Sequence, residues 1–331
     1  MKLILLFISL AYAAIFAAPV DNKQAAIQID ARPIHQFSPG DPSRSRFGAL
    51  EFRGGLVLSS SYQGFGGISA LLVQSDGSHF IALSDRGSWL RGQITYDGTR
   101  PTGIAHAEMA PFLGPGAKEA DRRDTESIAE NGSTLYVGIE RENVILRLKY
   151  PQKGFPRGAA MLPVPPGIGT LPNNQGLEAL AFVPRKLPLT GTLIAFSERD
   201  LDAAENLKAF LIGGPHPGTF TVKRSDDYDI SDSAILPGGD LLILERKYTL
   251  LGGPSARIRS IRLDQIKPDA LVDGPVIFEA DVRNEIDNME ALSVHRSRSG
   301  EIVLTLMSDD NFSSIQRTLL LQFAYIEEPK Q

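Results

Sequence analysis

The sequence contains no cysteine, which excludes disulfides, thiolate-bound zinc, iron–sulfur clusters and a cysteine nucleophile. Histidine is also scarce, and no two of its five histidines lie close together in the sequence, so a histidine-built metal site is not expected. Basic residues do not predominate either, because 34 lysines and arginines stand against 39 acidic residues and the net charge is -5. A nucleic acid partner, which requires concentrated positive charge, is therefore not expected.

Long apolar runs are absent except at the N-terminus. The run LILLFISLAYAAIFAA follows Lys2 and is itself followed by Pro19 and polar residues. It is short for a membrane helix and rich in small residues near its end, which is typical of a Sec-type signal peptide; an uncleaved anchor is the alternative. We therefore predict a signal peptide over residues 1–18, a periplasmic or secreted location, and no membrane span after signal removal.

The rest of the chain is predicted to form a single domain. Residues 19–46 are polar and aperiodic and form a lead-in, with one strand expected at AIQIDARPI. Residues 47–325 carry the apolar runs and turn residues of one large β-domain, and residues 326–331 form a tail.

Five segments of this domain share one pattern. In each, an acidic or glycine position is followed by apolar residues, a turn, and a second apolar run that ends in an acid. The pattern recurs at intervals of about 55 residues, and further strand-like runs follow each copy. Pairs such as Asp76-Gly77 and Asn131-Gly132 supply the positive φ angles of tight hairpins. Repeated four-stranded antiparallel units are typical of propeller blades.

We therefore predict an all-β fold, a single β-propeller of five four-stranded blades, or six if residues 19–46 contribute more. The last repeat ends after its third strand. The run GALEFRGGLVLSS, which precedes the first repeat, is expected to complete that blade, so that N- and C-terminal strands share a blade and close the ring. The alternative is an irregular β-sandwich, but it would not explain acids that recur in register.

The recurring acids are expected at one mouth of the central channel. The first strand of every blade lines the channel, and the second strand, running antiparallel, ends beside the start of the first. The residues that open the first strands and those that close the second strands should therefore converge. The first positions are Gly67, Glu126, Glu178, Asp232 and Glu290, and the second positions are Asp85, Glu140, Glu198, Glu245 and Asp309.

Carboxylates crowded in this way need protons, basic partners or a metal ion. Oxygen ligands without cysteine or histidine clusters favour a hard cation, Ca²⁺ before Mg²⁺. The predicted metal ligands are Glu126, Glu178, Asp232, Glu290, Asp85, Glu198 and Asp309. Four arginines that directly follow second-position acids are predicted to bind an anionic substrate, namely Arg86, Arg141, Arg199 and Arg246. The alternative is a lattice of salt bridges between these arginines and the acids.

Several short motifs resemble the phytase-like domain family, usually called "esterase-like activity of phytase". They are QGLEALAF, TESIA, DNMEALS, LSDRG, FSERD and the tail SDDNFSSIQRTLLLQF, and the resemblance covers roughly residues 47 to 325. It implies an extracytoplasmic propeller in which repeated acids take part in catalysis. The predicted catalytic residues are Glu178, Glu290 and Glu126. A lysine-rich phosphate site, which a true phytase should have, is not evident.

The expected function is a metal-dependent hydrolase of phosphoesters or carboxyl esters, with a small-molecule ester or phosphoester as substrate. Two alternatives remain open from the sequence. One is a calcium-dependent, lactonase-like hydrolase, and the other is a non-catalytic propeller that binds a ligand or another protein of the cell envelope.

Overall fold

The computed structural model describes residues 23–114, 123–151, 153–173, 175–297 and 299–326. Within these ranges the chain forms 24 β-strands and two short 3₁₀ turns, at Ile168–Thr170 and Leu263–Gln265. No helix in the described part of the chain is long and apolar enough to cross a membrane. The predicted signal peptide over residues 1–18 and all but the first residue of the predicted tail lie outside the described residues.

The strands form five antiparallel sheets arranged in a ring as the blades of a propeller. The chain enters through β1 (Ala25–Ala26), β2 (Asp30–Ile34), β3 (Arg46–Phe47) and β4 (Leu50–Ser59). Blade 1 contains β5 (Ile68–Val73), β6 (His79–Ser84), β7 (Ser88–Asp97) and β8 (Arg100–Pro111). Blade 2 contains β9 (Thr125–Asn131), β10 (Thr134–Ile139), β11 (Val144–Lys149) and β12 (Arg157–Met161).

The other three blades follow the same order from the channel outwards. Blade 3 contains β13 (Leu177–Phe182), β14 (Thr192–Leu201), β15 (Leu207–Gly213) and β16 (Gly218–Val222). Blade 4 contains β17 (Asp229–Ile235), β18 (Asp240–Thr249), β19 (Gly253–Arg262) and β21 (Val276–Ala280). The short β20 (Leu271–Val272), which precedes β21 in the chain, is not part of this blade. Blade 5 contains β22 (Asn288–Arg296), β23 (Ile302–Asp309), β24 (Thr318–Tyr325) and β4.

The predicted all-β propeller is confirmed, with five blades. The ring is closed as the repeat pattern indicated, because β4 pairs antiparallel with β24 and places Leu56 opposite Leu320. The two ends of the chain therefore share blade 5.

The lead-in adds to this closure. β2 covers the last five residues of the strand predicted at AIQIDARPI and pairs with β4 of blade 5, while β1 pairs with β8 of blade 1. Phe37 is fully buried in the cluster between blades 4 and 5. Its ring lies edge-on to those of Phe47, at 4.8 Å between centroids, and Phe323, at 5.1 Å. The segment before the first blade thus holds three blades together.

Five separate hydrophobic clusters fill the five spaces between adjacent blades. Trp89 of β7 is fully buried between blades 1 and 2, where it packs in one cluster with Leu135 and Val137 of β10. Central strands are covered on both faces, so their sequences are continuous apolar runs such as Leu241–Leu244 of β18.

A β-bulge occurs at the same place in the first strand of every blade. The pairing register between first and second strands shifts there in all five blades, which leaves one residue of the first strand without a partner opposite. Such a residue is released from the regular alternation of the strand, and its side chain can be directed elsewhere. The five residues are Ser69, Glu126, Glu178, Ser231 and Glu290.

The packing of Phe37 gives a test of the lead-in. We expect Phe37→Ala to lower the free energy of unfolding by about 3–5 kcal/mol, because it leaves a cavity at a fully buried aromatic contact. Val276→Ala, at a half-exposed site on β21, is the control and should change stability little. Denaturant unfolding measures both, and equal stability of the two variants would show that the lead-in is dispensable for closure.

Candidate functional site

The bulges define which residues are equivalent among the blades, and they correct the predicted first positions in two of them. Blades 2, 3 and 5 carry glutamate at the bulge, as expected, whereas the equivalent residues in blades 1 and 4 are serines rather than Gly67 and Asp232. The hydroxyl of Ser69 donates to the carbonyl of Thr125 at 2.5 Å, and that of Ser231 to the carbonyl of Met289 at 3.0 Å. Each serine therefore links its blade to the first strand of the next.

Asp232 lies one residue beyond the bulge, and its carboxylate is bound by backbone groups. Its two oxygens accept hydrogen bonds from the backbone N–H groups of Ser233, at 2.7 Å, and Leu292, at 2.6 Å. Burial raises the pKa of Asp232 well above its usual range, although these two donors oppose the shift. In this structure the residue joins blades 4 and 5.

The predicted second positions also need correction in blade 4. In four blades the second-position acid lies opposite the residue that is two positions before the bulge. These acids are Asp85, Glu140, Glu198 and Asp309. In blade 4 that place belongs to Arg246, which lies opposite Asp229. Because a shift of one residue reverses the face of a strand, Glu245 turns into the blade. There it is fully buried and accepts hydrogen bonds from Arg257 Nε, at 2.7 Å, and Arg259, at 2.5 Å.

Arg246 is the central cation of the channel mouth. Its Nε lies 3.0 Å from Glu290 Oε2, and its Nη2 lies 3.2 Å from Glu198 Oε1 and 3.4 Å from Glu178 Oε1. Its Nη1 donates to Asn288 Oδ1 at 3.2 Å, and Asn288 in turn donates to Glu290 at 2.8 Å. Burial alone would lower the pKa of Arg246, but the three carboxylates more than offset this and raise it.

Two groups of carboxylates lie on the side of blades 2 and 3, and they share Glu140. One group consists of Asp124, Glu126 and Glu140, and the other of Glu140, Glu178 and Glu198; within each, one oxygen per residue lies within 4.8 Å of the others. Asp124 was missed by the repeat pattern, which placed its first position at Glu126, two residues later. Its signal in the sequence is an acid directly before the strand that begins at Thr125.

Most carboxyl groups of this mouth hold protons more tightly than free carboxyls do. Burial, with Glu178 and Asp124 nearby, raises the pKa of Glu126 well above its usual range, and Asp124 shares a hydrogen bond with it. Burial raises the pKa of Glu178 well above its usual range too. It raises the pKa of Glu140 to about 7 and that of Glu290, despite the opposing effect of Arg246, also to about 7. Negative charge is therefore only partly compensated here.

Asp85 and Asp309 face each other at the junction of blades 1 and 5. Burial raises the pKa of Asp309 to about 8, with further contributions from the charges of Asp85 and Glu290. Burial likewise raises the pKa of Asp85 to about 6, partly opposed by Arg86. These two acids extend the crowded region around the mouth, but they lie outside both three-carboxylate groups found among the described residues.

The four predicted substrate-binding arginines have different surroundings. Arg246 occupies the centre, and Arg199 lies beside it with Nε 2.9 Å from Asp229 Oδ2. Arg141 is largely exposed and its Nε lies 2.6 Å from Asp124 Oδ2, whereas Arg86 stacks on the ring of Phe312 at 3.3 Å from the centroid. The structure therefore brings two of the four, Arg199 and Arg246, into one cavity.

That cavity opens at the mouth between blades 3, 4 and 5 and has a volume of about 630 Å³. Its size lies in the range of small-molecule binding pockets. Its polar wall contains Glu198, Arg199, Arg246, Lys247 and Glu290. Lys247, whose ammonium lies 4.5 Å from the ring centroid of Tyr228, is a further cation here that was not among the predicted site residues.

The fold and this site define a five-bladed propeller with a buried, acid-rich channel mouth and an adjoining cavity. The model of the phytase-like family, described as "esterase-like activity of phytase", matches residues 63–312. The match covers most of the chain, and the protein belongs to this family.

Comparison with solved structures adds only distant similarity. Glutaminyl cyclase from Myxococcus xanthus is 12% identical with a TM-score of 0.43, and the match covers 94% of this chain and 100% of that one. The PQQ-bound aldose sugar dehydrogenase from Streptomyces coelicolor is 13% identical with a TM-score of 0.37, covering 92% and 99%. At these values neither carries an argument about activity. No curated protein matches the sequence.

The position of Arg246 leads to a prediction about stability. We expect Arg246→Gln to destabilise the metal-free protein at pH 8 by about 3 kcal/mol, because Glu178, Glu198 and Glu290 lose their buried counter-charge. At pH 5 the loss should be smaller. The mutation removes a positive charge and so raises the pKa values of these carboxyl groups further above those in the unfolded chain. Groups with a raised pKa are protonated in the folded protein at pH 5, and they destabilise it as the pH rises through that pKa.

Denaturant unfolding at both pH values, with a chelator present, tests this. Arg262→Gln is the matched control, because Arg262 is exposed and forms an ion pair with the nearby, also exposed Asp264. It should behave as wild type at both pH values. A pH-independent effect of Arg246→Gln would mean that the arginine contributes packing rather than charge.

Proposed function

We propose that this protein is an extracytoplasmic hydrolase of phosphoesters or carboxyl esters that requires a divalent cation. The observation that carries the proposal is the shared position of Glu140, which joins two partly buried groups of three carboxylates, one of which includes Glu198 on the wall of a cavity of about 630 Å³. Membership of a family described by esterase-like activity supports the same class of reaction.

The donor set fits a hard cation such as Ca²⁺, with Mg²⁺ as the second choice, because all its ligand atoms are oxygens. Arg246 contacts Glu178 and Glu198 from within the mouth, whereas the group of Asp124, Glu126 and Glu140 is contacted by Arg141, which is largely exposed, so the charge of this group is compensated less. These three residues would hold the cation. When bound, it would polarise the ester oxygen and lower the pKa of a nearby water.

Glu290 is the best placed general base. It faces the cavity, and its pKa of about 7 allows it to accept a proton near neutral pH. In the proposed reaction the water oxygen bonds to the carbonyl carbon or phosphorus as its proton moves to Glu290. The bond to the alcohol oxygen then breaks, and the proton passes to that oxygen. Asn288 and Arg246 hold the two oxygens of Glu290 in place.

Arg199 and Lys247 supply positive charge on the same wall of the cavity. Charge-assisted hydrogen bonds from these groups would hold a phosphate or carboxylate of the substrate. Among the described residues, Lys247 is the one lysine of this wall, which favours a monoester, a diester or a carboxyl ester over a highly phosphorylated substrate.

Cation binding can be tested without turnover. Ca²⁺ at a hundredfold excess over its Kd should stabilise the wild type by about 2.7 kcal/mol, and the melting temperature should rise by several degrees. Asp124→Asn combined with Glu126→Gln should abolish this response, whereas Asp264→Asn, at an exposed site, should keep it. If the wild type melts at the same temperature in Ca²⁺, Mg²⁺ and chelator, the cation site is not there.

The same measurement has a defined pH dependence. Because the pKa values of Glu140 and Glu290 are raised to about 7, the metal-free protein should lose stability as the pH rises from about 5 to 8. A bound cation favours the ionised carboxylates, so Ca²⁺ should reduce this slope. Melting curves with and without chelator across the range provide the comparison.

Turnover distinguishes the hydrolase from its alternatives. The substrates are p-nitrophenyl acetate, p-nitrophenyl phosphate, bis-p-nitrophenyl phosphate and a simple lactone, each with Ca²⁺ or chelator. Glu290→Gln should lower kcat by about 10²-fold or more if the residue is the general base, and Glu301→Gln, on the exposed side of blade 5, should not. Preferential turnover of the lactone would support the lactonase-like alternative. If the wild type shows no more cation-dependent turnover than the Glu290→Gln variant, the result supports the non-catalytic propeller.

A further inference from the structure

An apolar rim borders the cavity at the channel mouth. The four most exposed large apolar side chains among the described residues are Leu251 at 103%, Leu250 at 94%, Ile315 at 88% and Tyr248 at 74%. The next, Met161 at 69%, lies on the outermost strand of blade 2. Exposed apolar residues that cluster beside a polar cavity mark a binding surface more often than scattered ones do.

The rim comes from the hairpin between β18 and β19 and from the loop between β23 and β24. The hairpin turn has its own polar contact, because Gly252 N–H donates to Thr249 Oγ1 at 3.0 Å. Tyr248 lies opposite Pro254 at the end of the paired strands. The leucines at the tip therefore contribute little to the fold, and a hairpin of this kind could carry polar residues instead.

The rim is continuous with the candidate site. Tyr248, Pro254 and Ile315 line the same cavity as Glu198, Arg246 and Glu290. The cavity thus has a charged floor next to the carboxylate groups and an apolar entrance formed by two blades. A ligand that fills both parts must combine a polar or anionic group with an apolar chain.

We propose that the substrate of this site is an amphiphile, with its ester or phosphoester group at the charged floor and an apolar chain along Tyr248 and Ile315. That the bound amphiphile is a substrate rests on the proposed hydrolase function. The preference for binding an amphiphile does not require turnover. Each methylene that becomes covered should strengthen binding by up to about fourfold, since burying one is worth about 0.8 kcal/mol.

Turnover of p-nitrophenyl acetate, butyrate and octanoate, at concentrations where the esters are monomeric, gives the first readout. In the wild type with Ca²⁺, kcat/KM should rise with chain length, by about tenfold or more from acetate to octanoate. Tyr248→Ser combined with Ile315→Ser should flatten this rise, so that octanoate gains little over acetate. Met161→Ser is the matched control, because it removes an equally exposed apolar side chain far from the cavity.

Binding of methylphosphonate and octylphosphonate, measured by isothermal titration, gives a readout without turnover. Tighter binding of the octyl compound by the wild type, but not by the double variant Tyr248→Ser with Ile315→Ser (the rim variant), supports the inference. If this is seen and no ester is hydrolysed, only the hydrolase proposal fails. Hydrolysis that is independent of chain length, together with equal binding of both phosphonates, overturns it. Melting temperatures of the variants show that they are folded.

A lipid surface is the competing occupant of the rim. Vesicles of phosphatidylcholine sedimented with wild type and rim variant address it directly. If the wild type binds vesicles through Tyr248 and Ile315 while monomeric chain length has no effect, the rim is a lipid-docking surface and the substrate inference is wrong. Absence of vesicle binding, combined with the chain-length effect, supports the inference.

Discussion

The mutual repulsion of buried carboxylates at one end of the channel is the constraint on which the site depends. Propeller symmetry brings equivalent residues of every blade together, so a perfect repeat with acids at both positions would collect like charges that cannot all ionise. The chain avoids this by breaking the repeat. Serines replace the acid at two bulges, and Arg246 replaces it at one second position. What remains, among the described residues, is a strongly acidic mouth in which Arg246 contacts three carboxylates.

The bulge is the backbone device that makes this arrangement possible. Without it, residues such as Glu126, Glu178 and Glu290 would follow the alternation of a strand covered on both faces, and each would be buried between blades. The bulge frees the residue from pairing and lets its carboxylate reach neighbours from other blades. Where the bulged residue is serine, the same geometry is used for a hydrogen bond to the next blade. One backbone feature therefore serves cohesion in two blades and the clustering of carboxylates in three.

The sequence predicted the architecture because hairpin turns and repeat spacing are local signals that survive in a propeller. It also located four of the second-position residues and three of the first. The errors are Gly67 in blade 1 and Asp232 and Glu245 in blade 4, and the one in β18 has a clear physical cause. In β18 the run Leu241–Glu245 is buried on both faces, so no polar alternation shows which side chains face which way. The pattern then favoured Glu245, and only the paired backbone shows that Arg246 occupies the equivalent position. Asp124 was missed because it precedes its strand and belongs to no repeated position of the hairpin pattern.

Charge is unevenly distributed around the mouth, and this gives the site a direction. The carboxylates with least compensation lie on blade 2, where the largely exposed Arg141 contacts Asp124, while Arg246, Lys247 and the apolar rim lie on blades 4 and 5. A cation held by the carboxylates of blade 2 would face Arg246 and Lys247 across the mouth, with Glu178 and Glu198 between them. With the cation bound, a ligand that bridges the two sides would offer an electron-rich oxygen to the cation and place its apolar part at the opposite edge. The broken symmetry that relieves repulsion in the folded chain therefore also determines how a ligand can be oriented in the cavity.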